Sequence, residues 1–210
     1  MIAFYIDTTS NYLYTALVKD KELLIEKKEC LAHDLSTFAL NEVNKMFEEV
    51  NLKPSDVDKI IVVNGPGSFT GIRIGVTIAK ILAWSLNKEI TTISSLEAMA
   101  QSLDTDKLIV PIINARRNCV YGAIYDNNNV ILNEEYMSIE KLKLILNGLQ
   151  KEYVFISNDK FNDLTCEEYN PNILKIVNKY ITRESINPHM VNPSYLKLTE
   201  AEENRLKETA

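Results

Sequence analysis

The chain has 210 residues, 46% of them hydrophobic and 25% charged, with a formal charge of −6. This is ordinary globular usage, with length enough for one large core or two smaller ones. No run of about 18 apolar residues occurs, so no transmembrane helix is expected, and the acidic balance argues against strong RNA binding by the chain alone.

The first residues, Met1-Ile2-Ala3-Phe4-Tyr5-Ile6-Asp7, lack the basic stretch of a signal peptide and read as a strand, so a cytoplasmic location is expected. Tyr12 to Val18, rich in aromatic and branched residues, is a second strand. A third, Leu23 to Ile25, follows the polar turn Lys19-Asp20-Lys21. Leu35, Ala39, Val43, Met46 and Val50 then recur at helical spacing and predict a helix over about 34–50. Ile60 to Val63 is a short buried strand, followed by a glycine-rich turn, a helix over about 68–86 and a shorter one over 94–103.

The pattern then begins again. Strands are predicted at Leu108 to Ile113, Cys119 to Tyr125 and Val130 to Leu132, a helix at Ile139 to Leu149, and a strand at Tyr153 to Ile156. An offset of 107 sets Asp7 against Asn114, Ile6 against Ile113, Asn11 against Asn118, Tyr14 against Tyr121 and Ala16 against Ala123. The matching order of elements reads as a duplication. Three antiparallel strands followed by helix, strand and helix, used twice, suggest an α/β fold of the actin-like or sugar-kinase-like kind. Its first subdomain would span 1–103. The second, reduced and degenerate, would span 104–210 with a C-terminal tail, and the charged stretch from Thr199 would be a solvated helix or a frayed end. The last 50 residues are irregular, broken by Pro171, Pro188 and Pro193.

The most informative segment is GPGSFTGIRIG, Gly65 to Gly75. It lacks the Gly-Lys pair of a Walker loop, and Thr70 stands where a dinucleotide fingerprint needs its third glycine. Gly65, Pro66 and Gly67 make a tight turn, and Ser68 is a suitable N-cap. With Phe69, Thr70 and Gly71 they form either a purely structural turn or an anion site at the helix start. Inside the helix Gly71, Gly75, Ala79 and Ala83 recur every four residues, although each glycine costs about 1 kcal/mol of helix propensity. Such a smooth ridge lets a backbone approach closely. Apolar and small residues fill roughly 220° of the helix, about twice the stripe one sheet requires. A second surface therefore covers it, either the 34–50 helix or another protein. Trp84, the only tryptophan, sits in the polar sector with Arg73, Thr77 and Lys80, where aromatic residues often mark partner contact.

Gly65 to Gly75 resembles the signature segment of the TsaB family at almost every position. Ile6-Asp7-Thr8-Thr9 resembles the family's opening Ile-Asp-Thr-Ser. Asn114-Ala115-Arg116-Arg117 before Val120-Tyr121 resembles its Asp-Ala-Arg-Arg segment, and Asn192-Pro193-Ser194-Tyr195-Leu196-Lys197 its closing Pro-x-Tyr-Leu-Arg. The matches are collinear over about 1–200. Thr9, Asn114 and Lys197 depart from the pattern, and Asn114 removes a carboxylate from the loop that parallels Asp7.

The resemblance implies an actin-like (ASKHA, ribonuclease H-like) fold and a non-catalytic scaffold and activator subunit. Its partner would be TsaD, which carries the active site for placing threonylcarbamoyl on adenosine 37 of ANN-decoding tRNAs. The small ATPase TsaE would join the complex, so ATP would be handled there and no cofactor held by this chain alone. Contact with tRNA would come only through the complex. The family's subunit contact uses the two first-subdomain helices, which implies partner binding by Leu35, Phe38, Met46, Phe47, Arg73, Ile74, Ile78, Ile81 and Trp84. A homodimer through the same helices is open for the chain in isolation.

Catalytic chemistry is not visible. The paralogue's metal-binding His-x-x-x-His maps onto Ser95-Leu96-Glu97-Ala98-Met99, and the two histidines, His33 and His189, lie far apart in sequence. His33 reads as a surface or capping residue. Cys30, Cys119 and Cys166 show neither metal nor disulfide spacing. Asp7 reads as the cap of its own turn, although in actin-like enzymes such an acid serves magnesium. A stand-alone small-molecule kinase or ATPase of this fold is the rival reading. No Lys/Arg cluster is denser than Arg116-Arg117 or Lys141-Leu142-Lys143, which leaves open only a local patch built from residues distant in sequence.

Overall fold

A computed structural model of the chain describes residues 1–127 and 129–197. The side chain of His33 and the tail helix expected from Thr199 lie outside the described residues.

Among the described residues ten strands form two five-stranded sheets. The first comprises β1 (Ile2–Asp7), β2 (Tyr12–Lys19), β3 (Glu22–Cys30), β4 (Lys59–Val63) and β5 (Glu89–Ile93), in the order β3-β2-β1-β4-β5. Helix α1 (Leu35–Glu49) links β3 to β4, α2 (Phe69–Ser85) links β4 to β5, and α3 (Ser95–Ala100) follows β5. The second sheet comprises β6 (Leu108–Asn114), β7 (Cys119–Asp126), β8 (Asn129–Ser138), β9 (Tyr153–Ile156) and β10 (Cys166–Glu167), with α4 (Ile139–Leu149) between β8 and β9. Its order, β8-β7-β6-β9-β10, repeats the first. In both sheets the hairpin strands pair antiparallel and the strands after the helix pair parallel.

The offset of 107 holds at the ends of the two central strands, while the pairing of β7 with β6 is shifted by one residue from that of β2 with β1. In the first sheet Asp7 Oδ1 accepts from the Thr9 amide at 2.8 Å, and in the second Asn114 Oδ1 accepts from the Arg116 amide at 2.8 Å. Each is an Asx turn that ends the central strand. The Asp20-Lys21 turn has φ of 50° and 72°, the left-handed pair that matches the twist of a two-residue hairpin.

Strand β1 is buried on both faces, as a central strand must be. Phe4 and Ile6 join Leu13, Leu17, Ile60 and Val62 under α1 and α2. Ala3 and Tyr5 face the other way, with Tyr14, Ile61 and Val63, under Ile173, Ile176, Val177 and Tyr180 of α5 (Ile173–Tyr180). This helix falls in the stretch expected to be irregular. Its residues at i, i+3, i+4 and i+7 form one apolar stripe, and Asn172 caps it by accepting from the Lys175 amide at 3.1 Å.

Two compact units result. The first contains Met1–Asp104 and Tyr169–Pro193; the second contains Thr105–Glu168 and, among the described residues, 194–197. The division differs from the expected 104–210 subdomain because the apolar face of α5 returns residues 169–193 to the first sheet. Strand β5 was not expected either. It is polar at Glu89, and its burial comes from parallel pairing with β4.

Candidate functional site

The glycine-rich turn positions α2 by docking on the end of β1. Gly65 is buried with φ of 114°, a conformation that excludes a side chain, and its carbonyl accepts from the Ser95 amide at 2.9 Å. The Ser68 amide donates to the Thr9 carbonyl at 2.7 Å, and Ser68 Oγ accepts from the Gly71 amide at 3.2 Å. Thr8 Oγ1 donates to the Gly71 carbonyl at 2.7 Å. A Cβ at Gly71 would overlap the Thr8 carbonyl oxygen, and one at Gly75 would overlap Thr8 Oγ1. The two glycines of the ridge therefore serve the chain's own strand end, which is the first of the surfaces covering α2, while Ala79 and Ala83 join the core. Two amides at the helix start are already used, that of Ser68 by the Thr9 carbonyl and that of Gly71 by Ser68 Oγ. Gly67 is partly buried there, while Phe69 and Thr70 face outward.

The second surface is α1, and it leaves a groove. Ser36, Ala39 and Leu40 of α1 and Phe69, Thr70, Arg73, Ile74, Thr77, Ile78, Ile81 and Leu82 of α2 line a mainly apolar cavity of about 530 Å³. Ile74 and Ile78 are half-buried in its floor, and the Arg73 guanidinium stacks 3.7 Å from the Phe69 ring centroid. Phe38, Leu40, Phe69, Ile81 and Trp84 each expose between 44% and 63% of their surface. Leu40, Phe69 and Ile81 edge the groove, an exposed apolar surface on two adjacent helices of the kind that marks protein contact.

Of the residues expected to bind a partner, Arg73, Ile74, Ile78 and Ile81 meet in this groove. Phe38 lies exposed on α1, and Trp84 stands one helical turn beyond Ile81 with its ring 5.8 Å from that of His189. Leu35, Met46 and Phe47 do not belong to the surface. They are 5%, 0% and 2% exposed and pack into the first core, where Phe47 meets the Phe4 ring at 5.5 Å. They form the inward stripe of α1, and no partner can reach them without unfolding the helix from its sheet. Sequence reading missed Leu40, whose signal is that it is apolar yet off that stripe.

Asp7 is 2% exposed. Burial drives its carboxyl up to about 6 from the ordinary 3.8, against the two bonds from the Thr9 amide and hydroxyl, at 2.8 and 2.7 Å, which favour the anion. Burial also pushes the nearby Tyr5 and Tyr169 hydroxyls up. The Ser95–Met99 stretch forms α3, where Glu97 takes both guanidinium nitrogens of Arg183, at 2.6 and 3.1 Å. Among the described residues no three His, Cys, Asp or Glu side chains converge in a way that could hold a metal. None of the described helices is long and apolar enough to cross a membrane.

A model of the TsaD family, tRNA N6-adenosine threonylcarbamoyltransferase, matches residues 29–182. The tRNA threonylcarbamoyladenosine biosynthesis protein TsaB of Bacillus subtilis is 32% identical over 96% of this chain and 96% of its own length. The TsaB protein of Buchnera aphidicola from Schizaphis graminum is 29% identical over 75% of this chain and 78% of its own. Among solved structures, a Pseudomonas aeruginosa protein described as similar to peptidase YeaZ superposes with a TM-score of 0.79 at 19% identity, covering 93% of this chain and 99% of that one. YeaZ from the same organism gives 0.74 at the same identity and coverage. The shared actin-like fold, the glycine-rich docking turn and the full-length similarity lead to one assignment: this chain belongs to the TsaB family of tRNA threonylcarbamoyladenosine biosynthesis proteins, within the wider TsaD domain family.

Proposed function

We propose that the chain is a non-catalytic subunit that binds and activates a TsaD protein through the α1–α2 face. The observation that carries this reading is the groove itself: half-buried Ile74 and Ile78, exposed Ile81, Leu40 and Phe69, and a polar rim of Ser36, Arg73 and Thr77. An apolar floor with a polar rim is the anatomy of a specific protein interface. The match of residues 29–182 to the TsaD family model supports the reading, since a TsaD with a counterpart of the same helix pair would let two such faces meet about a pseudo-two-fold axis.

The non-catalytic part of the reading is supported by Asp7. Its carboxylate is closed off from solvent and bonded to its own Thr9, and its counterpart in the second sheet is Asn114, which cannot ionise. TsaE would supply ATP hydrolysis to the assembly, and threonylcarbamoyl transfer to tRNA would take place on TsaD.

The test is to mix the chain with TsaD of the same organism and follow it by size exclusion with light scattering. A mixed complex is expected. Ile78→Asp and Ile81→Asp should abolish it while the fold survives, since Ile81 is already 55% exposed. Unchanged co-elution of both variants would refute the interface. A wild-type chain that stays paired with itself would assign the groove to a second copy instead, and steady ATP-dependent phosphate release by the chain alone would overturn the non-catalytic assignment.

A further inference from the structure

The two units treat their equivalent turns differently. In the first, the Thr8-Thr9 turn after β1 is roofed by α2. In the second, residues 157–165 run from β9 to β10 without a helix, so the turn after β6 has no such roof. What remains there is a polar cavity of about 410 Å³ between that turn, α4 and the 160–164 segment.

Four cations line it: Arg116 and Arg117 from the turn, Lys143 from α4 and Lys160 from the segment after β9. Glu140 and Asp163 also line it, which leaves an excess of positive charge in a chain whose net charge is −6. Lys107, Lys141 and Lys151 of the same unit each pair with a carboxylate, at 2.7 to 2.9 Å. The side chains of Arg116, Arg117, Lys143 and Lys160 make no ion pair or hydrogen bond among the described residues. This is the assembled basic patch that no stretch of sequence displays.

The turn is held in an unusual form. Arg116, Arg117 and Asn118 have φ of 65°, 51° and 57°, a left-handed run that a Cβ disfavours. Five hydrogen bonds hold it: Asn114 Oδ1 from the Arg116 amide at 2.8 Å, the Arg116 carbonyl from Cys119 at 2.9 Å, the Cys119 carbonyl from Ala115 at 2.9 Å, the Asn118 carbonyl from Ile139 at 2.9 Å, and Asp159 from the Asn114 amide at 2.7 Å. The amides of Arg117 and Asn118 stay unused within the described residues, and successive free amides in a turn form an anion-binding concavity. Strain kept in place by so many bonds is a feature of binding sites.

We propose that this cavity binds phosphate groups, with Arg116 and Arg117 as bidentate donors and Lys143 and Lys160 as point charges. The phosphate comes from a free nucleotide or from an RNA backbone, and the site does not rest on the TsaD reading. The full chain is titrated with inorganic pyrophosphate and ATP by calorimetry and with a fluorescent tRNA transcript by anisotropy, at about 50 and about 200 mM salt. Pyrophosphate and ATP binding would assign a free nucleotide; binding of tRNA alone, weakening steeply with salt, would assign the backbone. In either case Lys143→Gln with Lys160→Gln should lower affinity by about tenfold or more, the loss expected for removing charged partners. Arg116→Gln with Arg117→Gln should do the same, and the lysine pair keeps the test valid if the strained turn does not tolerate substitution. No binding of any probe at millimolar concentration, or binding undiminished in the lysine pair, would overturn the proposal.

Discussion

Asp7→Asn tests the description of the first strand end directly. The carboxyl titrates near 6 in the folded chain and at its ordinary 3.8 when exposed, because burial penalises the anion more than Thr9 stabilises it. Between those values the folded state holds the proton and the unfolded state does not, so stability falls as pH rises through the window. The full penalty is about 3 kcal/mol, of which about 1 is present at about pH 4.5 and nearly all at about pH 7.5. The asparagine side chain keeps the acceptor for the Thr9 amide and hydroxyl but cannot ionise, as Asn114 already demonstrates in the second sheet. Its extra amide hydrogens add an offset that does not vary with pH. Urea unfolding of both proteins across this range should therefore give a stability difference that shifts by about 2 kcal/mol in favour of the variant on going from the acidic to the basic end. A difference that stays flat within experimental error would mean that the carboxylate is solvated, and the burial argument would fail. Activity of the assembled complex should change by no more than about twofold, the expectation for a group that touches no reacting atom.

Glycine substitutions should have opposite signs in the two units. Gly71→Ala gains about 1 kcal/mol of helix propensity but drives a methyl into the Thr8 carbonyl, so thermal unfolding should show a net loss of about 2 kcal/mol or more; a neutral variant would refute the docking geometry. Gly148→Ala in α4 meets nothing within 4 Å and should raise stability by up to about 1 kcal/mol by the same measurement. Met46→Ala should cost about 2–5 kcal/mol as a core truncation, whereas Leu40→Ala should cost little in stability yet weaken TsaD binding, which separates the inner and outer faces of α1 by paired unfolding and co-elution assays. The opposite pattern would reverse the assignment of those faces.

Local periodicity carried much of this protein in its sequence. The strands β1, β2, β6, β7 and β9 and the helices α1, α2 and α4 follow from alternation or 3.6-residue spacing. The duplication follows because two matching segments obey the same local rules, down to the Asx turns at Asp7 and Asn114. The glycine-rich turn was equally legible, since tight turns and helix caps are made by neighbours in the chain. Tertiary structure alone decided which apolar residues are left over. Phe47 looks as available as Phe38 or Ile81, and the stripe holding Leu35 and Met46 does not say what covers it, until the sheet claims the inner face of α1 and leaves a groove beside α2. It also decided that α5 returns across the chain to seal the first sheet, and that Arg116 and Arg117 meet Lys143 and Lys160 where no helix roofs the second turn. Burial and charge clustering depend on groups far apart in sequence, whose proximity is fixed only when the sheets have formed and the helices have packed on them.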